Sequence, residues 1–167
     1  MAGFKVTTEV TANQSMTGLA TFRATMKKYP DRDRRKVLSD LAASSGDPGV
    51  WFAAAKGAGL LDLAVEFARA GRTDPRTLRR AARDFLAKDA QFSLAVGRLA
   101  IQRILDGYGY ELTSVDVNDA CKHFMAAAHV RGVTSQAQAE MQTIAAERPG
   151  MFRDLVVRQC SAGVVGN

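Results

Sequence analysis

The stretch AQFSLAVGRLAIQRILD, residues 90–106, is the longest and most apolar helical pattern in the chain. At about 100° per residue, Phe92 and Leu99 fall on one face of the helix, whereas Ile101 falls nearly opposite to them. A helix that is apolar almost all round is packed by neighbours on several sides. Because it would be only about 25 Å long, it is too short to span a bilayer comfortably. We therefore expect this stretch to be the central helix of the fold.

The rest of the chain carries the same signals for helix. Only four prolines occur among 167 residues, and β-branched runs are scarce after residue 11, which favours helix over strand. Turn and cap signals divide the chain into about eight helices with connections of about two to six residues. We expect an all-α fold of about eight antiparallel helices, packed as stacked helical hairpins in a short solenoid or bundle.

The two ends of the chain differ from its middle. Residues 1–13, MAGFKVTTEVTAN, alternate apolar and polar side chains as a half-exposed strand does. A lone strand has nothing to pair with in a helical protein, so we expect a flexible or extended N-terminal arm, with an interaction strand as the alternative. Residues 14–160 are predicted to form a single all-helical domain, and residues 161–167 a frayed C-terminus.

Capping signals predict several helix boundaries. Asp31 is the predicted N-cap of the second helix, which extends to about residue 44. Asp74 and Pro75 begin the helix over 75–87, with the aspartate as N-cap and the proline in the first turn. Asp89 is the predicted N-cap of the central helix, and Gly107 is its predicted stop.

Two basic surfaces are the candidate binding sites in a chain of net charge +6. The helix over 75–87 places four arginines at spacings of three and four along one side, namely Arg76, Arg79, Arg80 and Arg83. The helix after Asp31 begins with a second basic group, consisting of Arg32, Arg34, Arg35 and Lys36. Guanidinium groups at such spacings bind phosphates or carboxylates. The alternative is a solvated surface whose charge is neutralised by Asp84 and by carboxylates on neighbouring helices.

The only tryptophan of the chain, Trp51, follows a Pro-Gly turn and has Phe52 beside it. An aromatic pair at the start of a helix is typical of a core anchor. If Trp51 is partly exposed instead, it is a candidate contact for a partner.

The sequence contains no complete motif for metal binding or for catalysis by a thiol. Asp119 and His123 lie at i and i+4, a spacing that can place two ligands on one metal, but the only other histidine, His129, falls on a different face. Cys121 lies in an apolar stripe, where a thiol is inert, and Cys160 also lies in an apolar helical pattern. We therefore predict no enzyme activity, no cofactor and no metal site.

The cellular compartment is predicted from the cysteines and from the apolar segments of the chain. Two buried thiols fit a reducing environment better than a disulfide framework. The N-terminus lacks the long apolar core of a signal peptide, and no window of about 18 residues is apolar and uncharged. We expect a cytoplasmic protein without a membrane segment.

One segment resembles a known repeat family. The sequence Gly59-Leu60-Leu61-Asp62-Leu63-Ala64-Val65, with Phe67 and Pro75 after it, is similar to the second half of a tetratricopeptide unit. Phe67 and Pro75 each fall one position early, and the signature of the first helix is missing. The resemblance implies helical hairpins stacked side by side. Residues 29–131 also resemble the helical tails of uncharacterised bacterial proteins, a resemblance that implies no function.

The sequence therefore predicts a non-enzymatic helical interaction module that binds a protein partner through a groove or a basic face. Binding of nucleic acid through the two arginine-rich helices is the alternative. No helix-turn-helix, zinc-finger or RNA-recognition motif accompanies those arginines.

Overall fold

A computed structural model of the protein describes residues 18–162, and these contain nine α-helices and one 3₁₀ turn without a strand. The predicted all-α class is confirmed. The predicted arm over residues 1–13 lies outside the described residues, as does most of the predicted frayed end. Ser161 is the last residue of the final helix. The chain divides into two compact units, residues 1–73 and residues 74–167, and the single domain predicted over 14–160 stays a prediction.

The N-terminal unit contains four helices and the 3₁₀ turn. They are α1 (Gly18–Lys28), α2 (Arg34–Ser44), the 3₁₀ turn (Pro48–Trp51), α3 (Phe52–Gly57) and α4 (Leu61–Ala70). Their core consists of large apolar side chains, among them Phe22, Leu38, Leu41, Trp51, Phe52 and Leu63. Gly59 has a φ of 78° between α3 and α4, which is a conformation that glycine adopts without steric cost. The tetratricopeptide resemblance of this hairpin stays a prediction.

A single carboxylate ties the 3₁₀ turn to the end of α4. Asp47 Oδ1 accepts hydrogen bonds from the backbone N–H of Gly49 at 2.8 Å and of Arg72 at 2.9 Å. Gly71 has no room for a side chain, because a Cβ there would collide with Gly49 and Asp47. The segment over residues 45–49 therefore makes a long-range contact in addition to forming a turn.

The C-terminal unit contains the remaining five helices. They are α5 (Pro75–Phe85), α6 (Ala90–Leu105), α7 (Ser114–Val130), α8 (Thr134–Ala146) and α9 (Arg153–Ser161). Helix α6 packs against both α5 and α7, and α9 packs against α7 and α8. Fully buried apolar side chains form the core, among them Leu78, Val96, Ile101, Val117, Phe124 and Met141.

The prediction of a central helix is confirmed for α6 in most respects. Phe92, Leu99 and Ile101 are all buried, and Gly97 brings the helix so close to α7 that an added Cβ would lie 3.2 Å from Phe124 Cα. Leu94, however, is only half-buried. Helix α7, with 17 residues, is one residue longer than α6, so the expectation that this stretch is the longest helix is wrong.

Most of the predicted caps are confirmed. Asp89 accepts a hydrogen bond from the backbone N–H of Phe92 at 2.9 Å, and Asp74 accepts from the first turn of α5, which Pro75 begins. The N-cap of α2 is Asp33, since its carboxylate accepts from Lys36 N at 2.7 Å, and the prediction of Asp31 is therefore wrong.

Candidate functional site

The arginine stripe on α5 faces carboxylates of α7. The Nε and Nη2 atoms of Arg76 each lie 3.1 Å from a different oxygen of Asp116. Arg79 Nη1 bridges two carboxylates, at 3.2 Å from Asp116 Oδ1 and 3.1 Å from Asp119 Oδ2. These four side chains form a network, which we name the α5–α7 ion cluster. These hydrogen bonds are charge-assisted, because their donors are cationic and their acceptors anionic, and at 3.1–3.2 Å they are longer than the about 2.7–2.9 Å typical of that class.

Asp116 is the most constrained member of that cluster. Asp116 as a whole is 8% exposed, and its carboxylate also accepts a hydrogen bond from the backbone N–H of Thr113 at 2.9 Å. Thr113 in turn accepts from the backbone of Asp116, which completes a capping box at the start of α7. The hydrogen bonds from Arg76 hold the pKa of Asp116 well below its usual range, although burial acts in the opposite direction.

The other two arginines of the stripe point to solvent. Arg83 Nε pairs with the neighbouring Asp84 at 2.8 Å, and Arg80 is exposed and makes no ion pair with any of residues 18–162. The four arginines that the sequence groups on one face therefore divide into a structural pair and an exposed pair. For Arg76 and Arg79 the structure shows the alternative named above, neutralisation by carboxylates on a neighbouring helix.

The second basic group, on the N-terminal unit, is partly neutralised as well. Arg35 makes two hydrogen bonds to Asp62 on α4, at 3.2 and 2.8 Å, and Lys36 lies 3.4 Å from Asp40. Arg32 precedes α2, and both Arg32 and Arg34 are exposed. The combination of the two basic groups into one binding surface stays a prediction, because they belong to different units.

Trp51 is a core residue. It is 3% exposed, and its indole Nε1 donates a hydrogen bond to Ser45 Oγ at 3.0 Å. A side chain so enclosed offers almost no surface to a partner, so we correct the suggestion that Trp51 is a partner contact and retain the core-anchor alternative.

The residues that suggested metal or thiol chemistry have structural surroundings. The carboxylate of Asp119 belongs to the α5–α7 ion cluster, and desolvation lowers the pKa of the half-buried His123 while Asp119 acts against that shift. Among residues 18–162, no three histidines, cysteines or carboxylates lie close enough together to hold a metal ion. Cys121 and Cys160 are both buried and free. Contact with the Cys160 thiol and burial raise the pKa of Cys121, which disfavours the nucleophilic thiolate.

Within residues 74–162, the two most exposed large apolar side chains lie on a surface that the sequence did not predict. Tyr110, in the loop between α6 and α7, is 79% exposed, and Met151, two residues before the start of α9, is 87% exposed. A groove of about 490 Å³ is lined by residues of both segments, including Leu105, Leu112 and Phe152. We name this surface the Tyr110–Met151 groove. Met151 lines it, whereas Tyr110 belongs to the adjoining loop and is not a lining residue.

The loop beside this groove has an unusual backbone. Glu111 has a φ of 46°, a left-handed conformation that costs a non-glycine residue about 1 kcal/mol or more. Its carbonyl oxygen accepts a hydrogen bond from Arg76 Nη2 at 2.9 Å, so the α5–α7 ion cluster also holds the loop. The sequence at this surface, Gly107-Tyr108-Gly109-Tyr110, is typical of a turn and does not by itself indicate an exposed apolar surface.

No protein-family model, curated protein or solved structure matches this chain. None of the helices within residues 18–162 combines the length and the apolar character needed to cross a membrane.

Proposed function

We propose that the protein is a non-enzymatic helical interaction module that binds a protein partner through the Tyr110–Met151 groove. The observation that carries this proposal is the exposure of Met151, which lines a groove together with Leu105, Leu112 and Phe152, and of Tyr110, which lies between two lining residues, Gly109 and Glu111, without lining the groove itself. Tyrosine and methionine are enriched in the centres of protein interfaces, where they supply large contact areas. The bond from Arg76 to Glu111 supports the proposal further, because a loop held in place before binding loses less entropy when a partner docks.

The charges around this groove favour a protein over a nucleic acid. Glu111 lines it, and its carboxylate repels phosphates. Asp106 also lines it, but its carboxylate is already paired with Arg148 at 2.9 Å. Two of the four arginines on α5 are already bound to Asp116 and Asp119, which reduces the positive charge available to a phosphate backbone. Binding of nucleic acid through the arginine-rich helices is therefore the less supported candidate.

A comparative pull-down tests this proposal. The immobilised wild type is compared with a double variant, Tyr110→Ala with Met151→Asp, and with the control Val130→Asp, which alters a 62% exposed apolar residue at the end of α7. We expect a protein that the wild type and the control retain and that the double variant loses. Circular dichroism of all three proteins checks that the fold is unchanged.

The same pull-down separates the two candidate partners. Protein binding through an apolar groove should persist at about 0.5 M salt and after nuclease treatment, since the interaction is not between fixed charges. Retention that is equal in the double variant, or that disappears with nuclease, contradicts the proposal. In the second case the exposed arginines, tested by Arg80→Glu with Arg83→Glu, become the next site to examine.

A further inference from the structure

A second groove, in the N-terminal unit, has a different chemical character. It measures about 240 Å³, and its apolar part is formed by Leu19, Phe22 and Met26 of α1 together with Ala54 and Ala58. The three α1 residues have the spacing i, i+3 and i+7, so they form one stripe along the helix. Leu19 and Met26 are only half-buried, so this stripe stays open to solvent beside the start of α2. We name this surface the α1 groove.

Two guanidinium groups border the α1 groove. Arg23 of α1 and Arg34 of α2 both line it and are both exposed. Neither makes an ion pair with a carboxylate of residues 18–162. Arg34 differs in this respect from its neighbour Arg35, whose guanidinium is bound to Asp62. The charges at the rim of the groove are therefore positive and available to a ligand.

All charged side chains of α1 are positive. Helix α1 contains Arg23, Lys27 and Lys28 and no acidic residue. An apolar stripe with cationic neighbours is complementary to a segment that combines apolar and acidic side chains. The groove is smaller than the about 300–1,000 Å³ typical of small-molecule sites, which suits an inserted side chain better than a cofactor.

We infer that the α1 groove binds an acidic peptide segment of a partner protein. An apolar side chain of the segment occupies the space between Phe22 and Ala58, and flanking carboxylates pair with Arg23 and Arg34. The apolar floor favours a peptide over a nucleic acid, whose phosphates would gain nothing from Leu19 and Met26. This surface is a second one, in a different unit from the Tyr110–Met151 groove, and it does not depend on the function proposed for that groove.

The test uses a fluorescein-labelled amphipathic peptide built of Leu, Asp and Glu, and a matched peptide in which Lys replaces every acidic residue. Fluorescence anisotropy with the full chain should show binding of the acidic peptide and none of the basic one. Arg23→Glu with Arg34→Glu should weaken binding by about tenfold or more, since two attractive pairs become repulsive. The control is Lys27→Glu, which reverses a charge on the same helix at a residue that does not line the groove.

A second variant tests the apolar part of the groove. Ala58→Trp should fill the space and weaken binding of the acidic peptide by about tenfold, with its helical content checked by circular dichroism. The inference is overturned if the protein binds the two peptides equally or binds neither. It is also overturned if Arg23→Glu with Arg34→Glu leaves the affinity for the acidic peptide unchanged, or if Ala58→Trp does. It is also overturned if a single-stranded oligonucleotide displaces the peptide and binds Ala58→Trp as well as it binds the wild type. Since none of these variants alters Tyr110 or Met151, the outcome is separate from that of the pull-down.

Discussion

Asp116 performs two structural tasks at once. Its carboxylate completes the capping box of α7 and binds two arginines of α5. Through Arg76 it also fixes the carbonyl of Glu111 beside the Tyr110–Met151 groove. One side chain therefore links a helix start, a helix–helix contact and the shape of the proposed binding loop.

The substitution Asp116→Asn should lower the free energy of unfolding by about 2–4 kcal/mol at neutral pH, because it leaves Arg76 and Arg79 without their shared carboxylate. The folded-state pKa of Asp116 lies below its unfolded value of about 3.9. Its contribution is therefore present above about pH 4 and is lost as the pH falls through the folded pKa. Urea unfolding at several pH values should show the two proteins converging in stability as the medium becomes acidic.

Asp119→Asn is the matched control for this prediction. The Asp119 side chain is 46% exposed and, among residues 18–162, forms an ion pair only with Arg79, so its loss should cost less than about 1 kcal/mol. An equal effect of the two substitutions, or a difference from wild type that does not change with pH, would contradict the role assigned to Asp116.

At this scale the sequence predicted which residues were of interest but not which partners they have. The spacing of Arg76 and Arg79 placed them on one side of a helix, whereas Asp116 lies 40 positions after Arg76. The burial of Trp51 could not be predicted for the same reason, since it depends on the other helices of the unit. Pairings of this kind depend on tertiary packing, which a local pattern does not contain.

At the scale of the element, helices α6 and α7 depend on a glycine for their close approach. A Cβ at Gly97 would lie 3.2 Å from the Cα and 3.3 Å from the Cβ of Phe124. Gly97→Val should therefore force the two helices apart and lower the free energy of unfolding by about 2 kcal/mol. Thermal unfolding measures this effect. The control Ala95→Val adds the same side chain at a half-buried position of α6 and should have a much smaller effect.

In the N-terminal unit, the 3₁₀ turn depends on Asp47. Replacing Asp47 by Ala removes the acceptor for the backbone N–H groups of Gly49 and Arg72, and should cost about 1–2 kcal/mol in chemical unfolding. Asp47→Asn keeps an oxygen in the same place and should restore most of the stability. If the Asn and Ala variants are equally unstable, the two hydrogen bonds are not the source of the effect.

The sequence predicted elements better than it predicted their exact starts. Asp74 and Asp89 are N-caps as expected, because each stands alone before a clear helical pattern. Asp31 and Asp33 are both near the start of α2, and only the backbone geometry selects Asp33. The sequence predicted a turn at Pro48-Gly49 followed by a helix that begins near Trp51, whereas the structure has one 3₁₀ turn over Pro48–Trp51 before the helix. A Pro-Gly pair followed by aromatic residues does not distinguish a 3₁₀ turn from the start of an α-helix.

At the scale of the whole molecule, the two units present different surfaces. The C-terminal unit has an exposed tyrosine and methionine beside a groove with carboxylates at its edge, whereas the α1 groove is bordered by arginines. The sequence predicted a groove or a basic face and placed basic residues both on α5 and at the start of α2, and Arg34 of the second group borders the α1 groove. The exposed loop was not predicted, because the exposure of Tyr110 depends on how the chain between the end of α6 at Leu105 and the start of α7 at Ser114 packs in the unit, not on the residues of the loop alone.

Site-specific photocrosslinking in cells tests the central claim, that the Tyr110–Met151 groove binds a protein, most directly. A photoreactive phenylalanine analogue replaces Met151 in one variant and Val130 in the other, both exposed positions of the C-terminal unit. The account predicts a discrete protein adduct from position 151 that resists nuclease, disappears with Tyr110→Ala, and is absent from position 130. The same adducts at both positions, or a nuclease-sensitive adduct at position 151, would contradict it.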